Sequence, residues 1–177
     1  LIFCKNGFYD TRNDISEFNE DAYLISDGHT IKGDKLYYDR NIGLGIATGN
    51  IQLQDSVNQI IVTGDYGTRN ETNNLSFVTG KTLVSKWFEE NDTLFLSADT
   101  IKVFKIDSTN TNQLFCYHDV RIFKKDLQGI CDSMTYLQSD SLIQMFDTPF
   151  IWSENSQMNG DTILIQLSSK RIKELKL

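Results

Sequence analysis

Five aspartates recur behind a small residue, in Gly33-Asp34, Gly64-Asp65, Ala98-Asp99, Cys131-Asp132 and Gly160-Asp161, at intervals of 31, 34, 33 and 29 residues. Carboxylates at a regular period suggest calcium, as in repeat-built β-rolls. One carboxylate per repeat falls well short of the roughly six to eight oxygens that Ca²⁺ takes. The expected role is structural: a corner aspartate accepts backbone N–H groups as the chain enters each strand. His29, in a turn, and His118, at a bend, are the only histidines. No serine or cysteine sits in a nucleophile motif, and no H-E-x-x-H, glycine-rich phosphate loop or EF-hand loop occurs. Cys4, Cys116 and Cys131 are odd in number and lack C-x-x-C spacing, so a zinc site is not expected. Cys116 and Cys131 read as buried free thiols, with a bond between them as the alternative open to an exported protein. These residues assign no catalytic group, metal or cofactor, and the chain reads as non-enzymatic.

The aspartates matter more as punctuation. Gly33 to Asp55, GDKLYYDRNIGLGIATGNIQLQD, reads as two strands around the polar turn Asp39-Arg40-Asn41. Gly49 follows Gly33 by 16 residues, and Gly80 follows Gly64 by the same 16. Self-similarity at this period marks an array of supersecondary units. A third unit runs from Thr93 through a tip at 107–113 to Phe123. A fourth turns at Gln138 to Ser141 and returns to Trp152, and a fifth begins at Gly160. β-Branched and aromatic residues fill the arms, while Asn, Asp, Ser, Thr and Gly fill the tips. Pro149, the single proline, belongs at an edge or bulge. The expected fold is all-β and antiparallel, built from repeated hairpins. Residues 1–21 read as a weakly structured lead-in, 22–168 as one domain entered near Ala22 and turned at 26–29, and 169–177 as a basic tail. That tail carries Lys170, Arg171, Lys173 and Lys176, and Leu167 to Leu177 is the one stretch with a helical option.

Alternation inside the arms carries a finer signal. Leu44 and Ile46 are even-numbered, but Ile51 and Leu53, beyond Gly49-Asn50, are odd. Phe115 and Tyr117 give way to Val120 and Ile122 beyond His118-Asp119, and Leu94 and Leu96 to Ile101 and Val103 beyond Ala98-Asp99. Strand side chains alternate strictly, so a parity switch requires an inserted residue that bends the strand. Switches at matching places predict a sheet folded along a continuous crease, with its apolar face inside. Ile46, Ile51, Leu53, Phe77, Leu83 and Leu96, with Ile101, Val103, Phe115, Val120, Ile122 and Phe150, would line that inside. Periodicity alone is met as well by a filled sandwich core, which apolar alternation more commonly builds.

The chain has 177 residues, 20.3 kDa, enough to bury a core. A net charge of −7 and a pI near 4.8 leave no basic footprint for nucleic acid. No apolar run approaches the roughly 18 residues of a membrane-spanning helix. Leu1 is not an initiator methionine, so the chain is expected to come from a longer precursor with its targeting signal elsewhere.

Small-Asp openings, Tyr37 in the first arm, and the return Gly49-Asn50-Ile51-Gln52-Leu53-Gln54-Asp55 resemble the OstA-like family of lipopolysaccharide-transport proteins, which includes LptA, LptC and the N-terminal domain of LptD. Gly64-Asp65 with Gly80, Ala98-Asp99 with Asp119 to Ile122, and Gly160-Asp161 follow the same pattern more loosely. Lys81 stands where the pattern has Asn, His118 where it has Gly, and Phe146-Asp147-Thr148-Pro149 departs from it. The resemblance spans about residues 30 to 165 and implies an antiparallel β-jellyroll, open at its ends, whose interior holds lipopolysaccharide (lipid A) acyl chains. It also implies edge-strand stacking on homologous jellyrolls, including a head-to-tail homo-oligomer, in the periplasm and in association with the outer membrane. The rival readings are a β-solenoid or sandwich interaction or adhesion module with a filled core, and an enzyme on a solenoid.

Overall fold

The computed structural model describes residues 1–26, 28–88, 92–106, 108–153, 156–168 and 171–177. Arms joined by short polar tips can pair only with their neighbours, which makes an antiparallel meander. Among the described residues the chain opens with β1 (Ile2–Phe3), β2 (Asn6–Asp10), β3 (Ile15–Ser26) and β4 (His29–Asp39). It continues through β5 (Leu44–Asp55), β6 (Ile60–Asn70), β7 (Leu75–Trp87) and β8 (Thr93–Ile106). β9 (Thr111–Lys124), β10 (Leu127–Leu137), β11 (Leu142–Phe146) and β12 (Phe150–Ser153) follow. β13 (Ser156–Asn159), β14 (Thr162–Ser168) and β15 (Arg171–Lys176) complete the chain. They form one sheet, β1-β3-β4-β5-β6-β7-β8-β9-β10-β11-β14-β15, with β2 on β3 and the β12–β13 hairpin on β10. Every pairing is antiparallel, unlike the parallel coils of a solenoid. The sheet does not close, and it ends on β1 and β2 at one side and β15 at the other.

Tip chemistry repeats as well. Asp10 Oδ1 accepts the amides of Arg12 and Asn13, Asp55 Oδ1 those of Val57 and Asn58, and Asn70 Oδ1 those of Thr72 and Asn73. Each tip then closes on a left-handed residue: Asp14, Gln59 and Asn74 have φ of 50°, 55° and 54°. Among the described residues amide capping therefore falls to these tip residues and not to the repeated aspartates.

The crease is present. Register shifts fall between Asn19 and Ala22, Lys32 and Lys35, Thr48 and Ile51, Thr63 and Tyr66, Thr79 and Thr82, and Ser97 and Thr100. On alternate strands the bend is a pair of left-handed residues: Glu20-Asp21, Gly49-Asn50, Gly80-Lys81 and His118-Asp119. The intervening strands place Asp34 and Asp65 against those pairs. Asp34 accepts a hydrogen bond from Asn50 Nδ2 at 3.2 Å, and the carboxylate of Asp65 lies over Gly80.

Two terminal expectations change. The lead-in contains β1, β2 and much of β3, because Ile2 and Phe3 pair with Leu24 and Tyr23, and Asn6 to Asp10 pair with Asn19 to Ile15. The helical option at Leu167 to Leu177 is replaced by strand: Ile165 and Leu167 alternate at period two, and β15 pairs along β14. Arg171, Lys173 and Lys176 of the basic tail lie in β15, whereas Lys170, Asp27 of the first turn and Asp107 of the third tip lie outside the described residues.

Candidate functional site

Alternation about the crease sorts every side chain onto an inner or an outer face. On one side of the crease a ladder of directly opposed residues crosses ten strands. It runs Phe18, Leu36, Ala47, Gly67, Val78, Ile101, Cys116, Met134, Met145 and Ile163. On the other side a second ladder runs Leu24, Ile31, Leu53, Val62, Val84, Leu96, Ile122, Gly129, Ile151 and Met158. Between them, at the fold itself, lie Ala22, Ile51, Thr82, Ala98, Val120 and Cys131, all buried. The sheet is thus two apolar leaves hinged along one line.

The leaves are closed over one half of their length and open over the other. In the C-terminal half Met145, Val120 and Ile163 are fully buried, and both ladders join one cluster with the partly buried Leu94, Leu114, Leu127 and Ile143 packed against it. Protein fills that half. In the N-terminal half the cluster shrinks to Ala22, Leu36, Ala47, Ile51 and Val78, and Phe18, Leu24, Ile31, Leu53 and Val62 around it are only half-buried. Gly64 and Gly67 are packed over by the side chains of Val78 and Ile51, so what stays partly uncovered is the second leaf, where Leu24, Ile31, Leu53 and Val62 are none of them fully buried. An apolar trough therefore opens from β3 to β7.

The lips of the open half are polar. Ser16, Tyr38, Gly45, Arg69 and Ser76 are opposed in register on the first leaf, and His29, Asp55, Ile60 and Lys86 on the second. Tyr38 Oη donates to Glu71 Oε2 at 3.3 Å, and burial together with the Glu71 charge pushes its pKa up. Burial would raise the pKa of Asp55, but hydrogen bonds from Asn58 and the backbone of Val57, with the electrostatic influence of the His29 ring 3.9 Å away, leave it lowered. His118 meets Asp132 at 3.4 Å on the outside of the crease. Among the described residues no three His, Cys, Asp or Glu side chains gather closely enough to share a metal ion.

Of the residues expected to line the trough, Ile51, Leu53, Leu96, Ile101, Val103, Val120 and Ile122 are on the inner face. Ile46, Phe77, Leu83, Phe115 and Phe150 are on the outer face, opposed to Thr68, Lys102, Ser97, Thr135 and Asn159. The cause is the form of the bend. Two consecutive left-handed residues insert a whole side-chain period, so β5, β7 and β9 keep their inner parity through the crease. Only β4, β6, β8 and β10 switch it. Counting outward from the bend, and not from the bulkiest residue, would have found Phe18, Leu24, Ile31, Leu36, Val62 and Val84, which the sequence reading missed.

The three cysteines are free thiols. Cys4 is exposed, while burial pushes the pKa of Cys116 and of Cys131 up to about 12, with the neighbouring Cys131 adding to the effect at Cys116.

Residues 61–171 match the family model described as LptA/(LptD N-terminal domain) LPS transport protein. No curated protein matches the sequence. Among solved structures the fold is similar to LptH, described as the LptA homologous periplasmic component of the lipopolysaccharide transport device from Pseudomonas aeruginosa. That similarity has a TM-score of 0.57 at 12% identity and covers 84% of this chain and 94% of the other. At such identity the likeness concerns the fold.

Proposed function

Because this chain belongs to the LptA/LptD N-terminal family of lipopolysaccharide-transport proteins, we propose that it is a non-enzymatic carrier that shields lipopolysaccharide acyl chains within the periplasm. The observation that carries this reading is the contrast between the two halves of the sheet: from β8 onward both leaves contribute fully buried apolar residues, whereas from β3 to β7 the second leaf contributes only half-buried ones. Burial of acyl chains is worth about 0.8 kcal/mol per CH₂, so a lipid with several chains crosses water only when covered. Phe18, Leu24, Ile31, Leu53 and Val62 offer that cover, and parting the hinged leaves would extend it toward Leu96, Ile101 and Val103. The LptH description supports a periplasmic place, and we extend it to association with the outer membrane.

The free edges are the second half of the proposal. An unpaired edge strand is a template for another chain's strand. Leu1, Ile2, Phe3 and Phe8 are exposed at one edge and Ile172 at the other. Homologous jellyrolls, or copies of this chain head to tail, would join there and make the trough continuous.

The test is photo-crosslinking in cells from a probe replacing Leu53 or Leu83. Lipopolysaccharide adducts are expected from position 53, inside the open trough, and not from position 83 on the outer face. Equal labelling at both positions, or at neither, would sink the proposal.

A further inference from the structure

The lips of the open trough are not symmetric in charge. On the first leaf Arg69 shares the inner face with Gly67, and Lys105 shares it with Val103, so both project beside the mouth of the trough. They meet at one hairpin tip: Arg69 Nη2 donates to Asn74 Oδ1 at 3.3 Å, and the Lys105 amide donates to Asn74 O at 3.1 Å. Arg69 Nη1 donates in turn to Ser76 Oγ at 3.1 Å. Side-chain oxygens without formal charge thus orient the guanidinium, and no described carboxylate forms an ion pair with Arg69 or Lys105. Across the opening Lys86 occupies the inner face of β7, its ammonium held to Asn58 O at 3.0 Å. Glu71, which accepts from Tyr38 Oη, and Asp55, which accepts from Asn58 Nδ2, are the anions of this mouth, and neither forms an ion pair with Arg69 or Lys105.

We propose that Arg69 and Lys105 form a head-group clamp that takes the phosphate of an acylated lipid whose chains lie in the trough. This rests on the acyl-binding reading above. Cations at the mouth of an apolar slot are complementary to an anionic amphiphile. A fork-shaped guanidinium already oriented by Ser76 and Asn74 can bind a phosphate in bidentate fashion with little further ordering. The overall charge of −7 makes a cationic mouth a local exception, so attraction is confined to the place where the head group must emerge.

The test compares bis-phosphorylated lipid A with the same lipid stripped of its phosphates, by equilibrium binding to the full chain at low and at high salt. Phosphorylated lipid is expected to bind about tenfold more tightly at low salt, an advantage that salt erodes and that an R69A/K105A double variant abolishes. Arg69→Lys should retain part of it, and circular dichroism would verify that each variant is folded. Equal affinity for the two lipids, or an advantage that survives in R69A/K105A, overturns the clamp and leaves the acyl site standing. Failure of both lipids to bind overturns the acyl site and the clamp with it. Displacement of phosphorylated lipid by millimolar inorganic phosphate would mark a site for free anions and also overturns the inference.

Discussion

Gly80 and Asp65 meet at the crease, on adjacent strands, so closely that a Cβ on Gly80 would stand 2.7 Å from both Cβ and Oδ2 of Asp65. Gly80 also has φ of +80°, where a Cβ is strained in any surroundings. Gly80→Ala is therefore expected to destabilise the fold by roughly 2–4 kcal/mol in urea titration. Gly45→Ala, whose nearest atoms lie 3.7 and 3.8 Å away in ordinary strand, should change stability by less than about 1 kcal/mol. Comparable losses at the two glycines would show that the crease is not what demands glycine.

Truncation should separate the two halves of the trough. Met145 is fully buried, so Met145→Ala should cost roughly 2–5 kcal/mol through the cavity it leaves. Leu53, half-buried, should cost about 1–2 kcal/mol when cut to alanine yet weaken lipid binding more than Met145→Ala does at matched fraction folded. Denaturant curves and lipid titrations on both variants make the comparison.

The buried thiols predict a loss of stability in alkali. In the unfolded chain Cys116 and Cys131 ionise near the ordinary value of 9.0, whereas in the folded protein they hold their protons up to about 12. Between those values the native state binds more protons, so stability falls as pH rises above 9. Replacing both by alanine should flatten the slope of unfolding free energy against pH in that window. At pH 8, iodoacetamide should modify Cys4 alone until denaturant is added.

Association through the edges should respond to Ile172, which is 39% exposed on the terminal strand. Ile172→Asp is expected to shift sedimentation toward the monomer at concentrations where the parent chain associates, with an unchanged circular dichroism spectrum. An identical concentration dependence in the two proteins would remove β15 from the interface.

Much of this architecture is readable from residues. Small-Asp pairs at a near-constant interval, polar tips and β-branched arms are local signals, and each survives as a strand, turn or bend. The terminal strands were harder to read because β1, β2 and β15 depend on partners supplied by β3 and β14. The inner face was only partly legible. At Ala98-Asp99 a change of parity in the sequence is a change of parity in space. At Gly49-Asn50 and His118-Asp119 it is not, because two left-handed residues restore the alternation they interrupt. Ile46 and Phe115, bulky and well placed by apolarity, therefore face outward, while Ala47 and Cys116 beside them face in.

That doubling of left-handed residues has an evolutionary corollary. Because each complete hairpin returns the chain to the orientation in which it began, duplication or loss of one hairpin leaves every other residue on its former face of the sheet. Reach can then be adjusted in whole units by recombination alone, with no compensating change elsewhere in the gene.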